Sequence, residues 1–515
     1  MRGRDSAGVH VLVWDHDLDA TDPDVAAALA RRSGDPLFQS GAARLVGPSL
    51  SLVYKAAAEI GELGDNTRAL RAQIKQDDLL RQALQGERAQ VAVLGHTRWA
   101  SVGIISEPNA HPVNSEELEQ RGGDSAPQAP AGRASASEPD SDGVWGRSPH
   151  GMTAPYTVGV LNGDVDNHGD LKVDHGLRIA GPITTDAKVI PALMARYAAP
   201  DGRAVAIDLF EAFRRTVASF EGSVAVGAQA ADQPGRLMLA LHGSGQGVYV
   251  GLADDRYLVA SEPYGVVEET DRFVRLDGEH GGQVIALDAG RAGTLEGLER
   301  LGYDGSAQPV SDADVVRAEV TTRDIDRGDA PHFLLKEITE SPGSLAKTLR
   351  GRIHERTDAD GARRRHAVVG PRALPPAVAA RLAAGTIRRV RIIGQGTAAV
   401  AGQSMAAVLD ELCAGAFDVD AVTATELSGF GLHLDMSDTL AVAISQSGTT
   451  TDTNRTVDLL RSRGASVLAI VNRRSSDLTD KADGVLYTSD GRDVEMSVAS
   501  TKAFYAQVAA GVLLA

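Results

Sequence analysis

The feature that most restricts this chain is an alternation in its last quarter, where apolar runs lead through polar loops into amphipathic stretches. Thr439-Leu440-Ala441-Val442-Ala443-Ile444 runs into Ser445-Gln446-Ser447-Gly448-Thr449-Thr450-Thr451-Asp452-Thr453, and then into Asn454 to Arg463. That order predicts a strand, a hydroxyl-rich turn and a helix. Arg388 to Ile393 runs in the same way into Gly394-Gln395-Gly396-Thr397, and Ser497-Val498-Ala499-Ser500-Thr501-Lys502 opens the last helix. With Ser466 to Asn472 and Gly484 to Thr488 as further short strands, the pattern predicts a parallel α/β sheet with ligands beyond the strand ends. One hydroxyl loop alone reads most simply as a helix cap. Three converging on one crevice offer N–H groups and hydroxyls at the positive ends of helix dipoles, which suits a phosphorylated sugar.

A chain of 515 residues exceeds one core, so two or three domains are expected. Lys plus Arg number 52 and Asp plus Glu 69, a net charge of −17, which disfavours a general nucleic-acid binder. No apolar run reaches about 18 residues and the first residues lack a basic-then-apolar signal layout, so a cytoplasmic protein is expected. The single cysteine, Cys413, excludes an internal disulfide, and its helical stretch, Met405 to Ala414, makes it a packed small hydrophobe.

Residues 1–310 have a different texture. Short alternating segments at Gln90 to Leu94, Tyr156 to Leu161, Ser223 to Gly227, Arg236 to Leu241, Gly247 to Leu252 and Tyr257 to Ala260 predict an α+β domain of antiparallel sheets sandwiched with helices. Residues 113–155 interrupt it with Gly, Ser, Pro, Ala and Asp and are expected to be a disordered insertion. Residues 311–380, with a polar stretch at Arg356 to Arg365, read as a connecting segment, and 381–515 as the parallel-sheet domain.

The amino-terminal domain carries its own polar constellation. Gly95-His96-Thr97-Arg98-Trp99-Ala100-Ser101 is followed by Asn109-Ala110-His111-Pro112, by Leu161-Asn162-Gly163 with Asn167-His168, by Thr184-Thr185-Asp186 and by Phe220-Glu221-Gly222-Ser223. Read singly, Arg98 with Trp99 is a surface stack and Asn162-Gly163 a tight turn. Read together, Arg98 can grip a carboxylate, Asp186 can hold an ammonium, and Asn162 with the Gly163 N–H can stabilise an oxyanion. Those three groups describe glutamine being deamidated.

Two sets of residues carry a resemblance. Ser445, Gln446, Ser447, Gly448, Thr450, Asp452 and Thr453 match the Ser-Gln-Ser-Gly-x-Thr-x-Asp-Thr phosphate loop of sugar isomerase (SIS) domains. The amino-terminal stretches, with Arg2-Gly3-Arg4-Asp5-Ser6-Ala7-Gly8 and the linker His332-Phe333-Leu334-Leu335-Lys336-Glu337-Ile338-Thr339-Glu340-Ser341-Pro342, are similar to class II glutamine amidotransferase domains. In this order they resemble the glucosamine-6-phosphate synthase (glutamine–fructose-6-phosphate aminotransferase) family. The resemblance implies a class II glutaminase domain followed by a first SIS domain. It implies that glutamine is hydrolysed in the first, that ammonia passes internally, and that fructose 6-phosphate becomes glucosamine 6-phosphate in the second. Glutamine contacts then fall to Arg98, Trp99 and Asp186, the oxyanion to Asn162 and Gly163, and sugar-phosphate contacts to Gly396, Thr397, Ser445, Gln446, Ser447, Thr450, Val498 and Ser500. The partners implied are glutamine and fructose 6-phosphate, with no metal or other cofactor, no nucleic acid and no membrane, and with room for a homodimer.

The sequence departs from the family in places. The family's nucleophile is an N-terminal cysteine, which is absent here, and its second SIS domain is also absent, so a truncated form is expected. Val102 stands where the family often has His, and Gln395 where the sugar loop often has Cys. The alternatives are a non-catalytic sugar-phosphate-binding protein and a related enzyme acting on another fructosamine-type substrate.

Overall fold

The computed structural model describes residues 5–57, 64–98, 103–118, 154–200, 206–243, 245–318, 321, 325–474, 476–497 and 499–515. The chain forms two compact units, one built from residues up to Glu262 with Arg272–Val316, the other from Pro263–Asp271 and Arg317–Ala515. No described helix is long and apolar enough to cross a membrane.

The first unit is layered. Strands Ala43–Val46, Ser49–Ala57, Ser6–Trp14 and Gln90–Arg98 form one antiparallel sheet in that order. Its outer face buries Val11, Val13, Leu50 and Leu52 against Val25 and Leu29 of the helix Pro23–Ser33 and Leu79 and Leu80 of Asp78–Ala83. Asp22 caps the first of these helices and Asp77 the second, each accepting two backbone N–H bonds. A second sheet of six strands has Thr157–Gly163, Val224–Ala230 and Arg236–His242 side by side. Helices Val189–Ala198 and Leu209–Ala218 cover it through Leu193, Met194, Phe210 and Phe213.

The inner faces of the two sheets meet partly through apolar groups and partly through polar ones. Leu12, Phe38, Val53 and Val158 form an apolar patch. Beside it His10 Nδ1 lies 2.7 Å from Gln229 Oε1 and Nε2 2.8 Å from Ser51 Oγ. Burial draws His10 down to about 4, so the ring is neutral.

The expected insertion is corrected at its edges. Val113 and Asn114 form a strand paired with Gly159 and Val158, Lys188 Nζ donates to Asn114 O at 2.5 Å and Glu116 O at 2.8 Å, and Arg196 grips Glu117 twice at 2.8 Å. The sequence hid this because the apolar content there is low; charge pairing and one buried amine order it instead. Residues 119–153 lie outside the described residues.

In the second unit, five parallel strands run in the order Asp418–Thr423, Arg389–Gly394, Thr439–Ser445, Ser466–Val471, Gly484–Tyr487. Helices Pro376–Ala383, Thr397–Cys413 and Lys502–Leu514 pack on one face through Val378, Met405, Leu409 and Ala510. Val457 and Leu460 of Thr451–Ser462, with Leu478, pack on the other. Cys413 ends its helix half-buried at the edge of the first of these cores. The connecting segment contains the helix Phe333–Leu349, over the stretch read as a linker helix, and its polar part forms an antiparallel hairpin of Ile353–Thr357 with Arg363–Ala367.

Candidate functional site

The chain reverses its direction of travel across the parallel sheet at Arg389–Gly394, which has Asp418–Thr423 on one side and Thr439–Ser445 on the other. Loops leaving the two strands at such a switch point diverge and leave a crevice at the carboxyl edge. The loops here are Gly394 to Thr397 and Ser445 to Thr450.

The second loop is built around its hydroxyls. Ser445, 2% exposed, accepts from the Gly448 N–H at 3.0 Å and lies 3.2 Å from Thr450 Oγ1. Ser447 Oγ accepts from the Thr449 N–H at 3.2 Å and from Thr449 Oγ1 at 2.9 Å. Gly448 has φ +70°, and a Cβ there would lie 2.0 Å from Ser476 Oγ, so only glycine fits. Buried Asn454 ties the turn to the helix by donating to Gly448 O and Thr450 O, each at 3.1 Å. Thr450 is the N-cap of Thr451–Ser462, whose first N–H groups have no partner within their own helix. Gln446, Ser447 and Thr450 stay half-buried at the rim.

Gly396 and Thr397 are exposed at the start of Thr397–Cys413, with Gly396 at φ +57°. Gln395, in the first loop, donates from Nε2 to Asp452 Oδ2 at 3.1 Å and to Thr425 Oγ1 at 3.2 Å. The third loop is held by Glu495, whose Oε1 accepts from Thr501 N at 2.8 Å and Ala503 N at 3.2 Å. The Ser500 hydroxyl is buried with no hydrogen-bond partner among the described residues. Val498 lies outside the described residues.

In the first unit, Arg98 ends the strand Gln90–Arg98 and is 5% exposed, in register with Ser6. Burial draws it below the usual guanidinium value, with Asp186, Asp5 and Asp164 acting the other way. Asp186, 4% exposed, accepts from Val165 N at 2.9 Å and Ala187 N at 3.0 Å. Burial is the largest influence on its carboxyl and raises it. Asn162 points to solvent at the end of Thr157–Gly163, and Gly163, at φ +105°, has Ser223 O where a Cβ would stand. Trp99 and Val102 lie outside the described residues.

Two residues quoted in the sequence without a role prove central here. Asn109 Oδ1 accepts from Thr184 N at 2.7 Å and Thr185 N at 2.9 Å, fixing the approach to Asp186. His111 bridges the other two elements, with Nδ1 3.1 Å from Leu161 O and Nε2 3.0 Å from Thr185 Oγ1. Its ring lies 4.8 Å from that of His96. Burial holds both rings far below the usual histidine value, His96 at about 4, so both are neutral supports. Among the described residues no group of three or more His, Cys, Asp or Glu has the placement to hold a metal ion.

The hydroxyl loop at the switch point agrees with the family match, which covers residues 386–515 and is described as the SIS domain. The chain carries an SIS domain. Over a longer stretch it is similar to glutamine–fructose-6-phosphate aminotransferases (isomerizing). The relative from Symbiobacterium thermophilum is 30% identical over 427 residues, 82% of this chain and 57% of that one. The relative from Pyrobaculum aerophilum is 30% identical over 432 residues, 83% of this chain and 57% of that one. The chain thus spans little more than half the length of these relatives. Among solved structures, the C-terminal domain of glucosamine-fructose-6-phosphate aminotransferase from Francisella tularensis is 26% identical with a TM-score of 0.29, covering 37% of this chain and 48% of that one.

Proposed function

We propose that the SIS crevice binds fructose 6-phosphate, and that the first unit binds glutamine, in glutamine-dependent formation of glucosamine 6-phosphate and glutamate. The observation that carries the sugar half is the loop Ser445 to Thr450, placed at the switch point of the sheet and at the start of Thr451–Ser462. Helix N–H groups and Ser and Thr hydroxyls suit a phosphate dianion and its sugar together. The names of the relatives support the same substrates.

Calorimetry with fructose 6-phosphate tests it. Replacing Ser445, Ser447 and Thr450 together by Ala removes three hydroxyls, each worth roughly 1.5 to 3 kcal/mol if bonded to a charged group, and abolishes measurable binding. An affinity equal to that of the parent would refute the assignment. The glutamine half supplies its own test. Arg98→Ala and Asp186→Asn each weaken glutamine binding by about 2 kcal/mol or more if they face its carboxylate and ammonium in a desolvated site. Parental affinity in both variants would remove these residues from the site.

A further inference from the structure

The loop that carries Ser500 is held from outside the residues that match the SIS family. Glu337, on the helix Phe333–Leu349, is 1% exposed and its carboxylate is met by hydrogen-bond donors of a loop. Its Oε1 accepts from the Met496 N–H at 2.5 Å and the Ser497 N–H at 3.2 Å, and its Oε2 accepts from Ser497 Oγ. One turn further along, Glu340 takes Lys502 Nζ at 2.7 Å. A buried carboxylate is costly unless fully hydrogen-bonded, and loop N–H groups have no ladder to satisfy them. Each therefore supplies what the other lacks.

The placement matters for the crevice. The chain leaves the strand Gly484–Tyr487 at the carboxyl edge of the sheet, where Thr488 Oγ1 donates to Val471 O at 3.4 Å, and Gln507 Nε2 of the helix Lys502–Leu514 donates at 3.2 Å to Asn472, the first residue beyond Ser466–Val471. Met496 and Ser497 lie between these two points, and Ser497 is three residues before Ser500, whose buried hydroxyl has no partner among the described residues. We propose that Glu337 is a positioning residue for the sugar-phosphate site, fixing the backbone of Met496 and Ser497, which lead towards Ser500. This rests on the reading of the crevice given above.

The test compares three variants of the full chain, well below their melting temperatures. Glu337→Ala loses every bond to the loop, whereas Glu337→Gln keeps one oxygen for both N–H groups. Thr348→Val removes a different anchor of the same helix, the hydroxyl that accepts from Ser489 N at 2.9 Å. Fructose 6-phosphate should bind roughly tenfold more weakly to Glu337→Ala, a loss of about 1.4 kcal/mol, and within about threefold of the parent to the other two. Hydrogen exchange at Met496 and Ser497 should rise in Glu337→Ala alone. Equal weakening in Glu337→Ala and Thr348→Val, or parental affinity in Glu337→Ala, would overturn the proposal. If the parent itself fails to bind fructose 6-phosphate, the crevice reading fails, and exchange decides the clamp: unchanged protection at Met496 and Ser497 overturns it.

Discussion

Two buried amines in the first unit make a natural pair for comparison. Lys188 Nζ has three acceptors, Asn114 O, Asn114 Oδ1 and Glu116 O, whereas Lys55 Nζ has none among the described residues and lies 5.1 Å from the centre of the Phe38 ring. Burial, with Lys188 adding to it, draws Lys55 down to about 7. The unfolded chain takes up this proton below about pH 10.5 and the folded chain only below about 7, so Lys55 subtracts stability increasingly as pH falls across that window. Lys55→Met should therefore stabilise the protein at pH 7 by something on the order of 2 kcal/mol, with a smaller gain at pH 9.5. Urea unfolding at the two values checks it, and a less stable variant at pH 7 would show that the amine is better satisfied than its geometry indicates. At this scale the sequence was only partly legible. Arg98 and Asp186 could be singled out because their charges have an obvious chemical use, but the work of Asn109 and His111 depends on Thr184, Thr185 and Leu161, far away in the chain.

Elements were legible where their patterning followed the rules. Four of the five parallel strands and the helix after the hydroxyl loop could be read from apolar runs and polar breaks. The fifth, Asp418–Thr423, could not, because it is an edge strand with two aspartates and three of its six residues exposed. Ser49–Ala57 escaped for a different reason: one of its faces looks into the seam between the sheets and carries Ser49, Ser51 and Lys55, all fully buried. Its polar residues therefore point inward. The hydroxyl loop itself depends on one backbone position. Gly448→Ala must force a left-handed residue and push Cβ into Ser476, which caps Asp477–Lys481. A cost of about 1 to 3 kcal/mol is expected, with weaker fructose 6-phosphate binding alongside. Thermal melting and calorimetry on the same sample measure both, and an unchanged melting temperature would mean that the turn relaxes freely.

Acid sensitivity belongs to a whole unit. His10 and His96 are each drawn down to about 4 by burial in the first unit, while the unfolded chain protonates them near 6.5. Below about pH 6.5 the unfolded state binds protons that the folded state refuses, so stability falls as pH drops towards 4, by up to ~1.4 kcal/mol per pH unit for each ring. All the tryptophans, Trp14, Trp99 and Trp145, lie before Glu262, so fluorescence melting follows this unit. The midpoint should drop between pH 7 and 5, and His96→Gln should make the drop shallower; an equal slope in the variant would deny His96 its part. The same unit has one further feature. On either side of residues 119–153, the Ser115 N–H donates to Thr157 O at 2.9 Å, the Thr157 N–H donates to Ser115 Oγ at 3.1 Å, and Leu118 N–H donates to Arg178 O at 2.8 Å. The two flanks are thus bonded to each other, and the first of them also to Arg178. Because closure entropy grows only slowly with loop length, a bridge of different length between these anchored flanks should change the stability of the first unit by only about 0.6 kcal/mol per doubling.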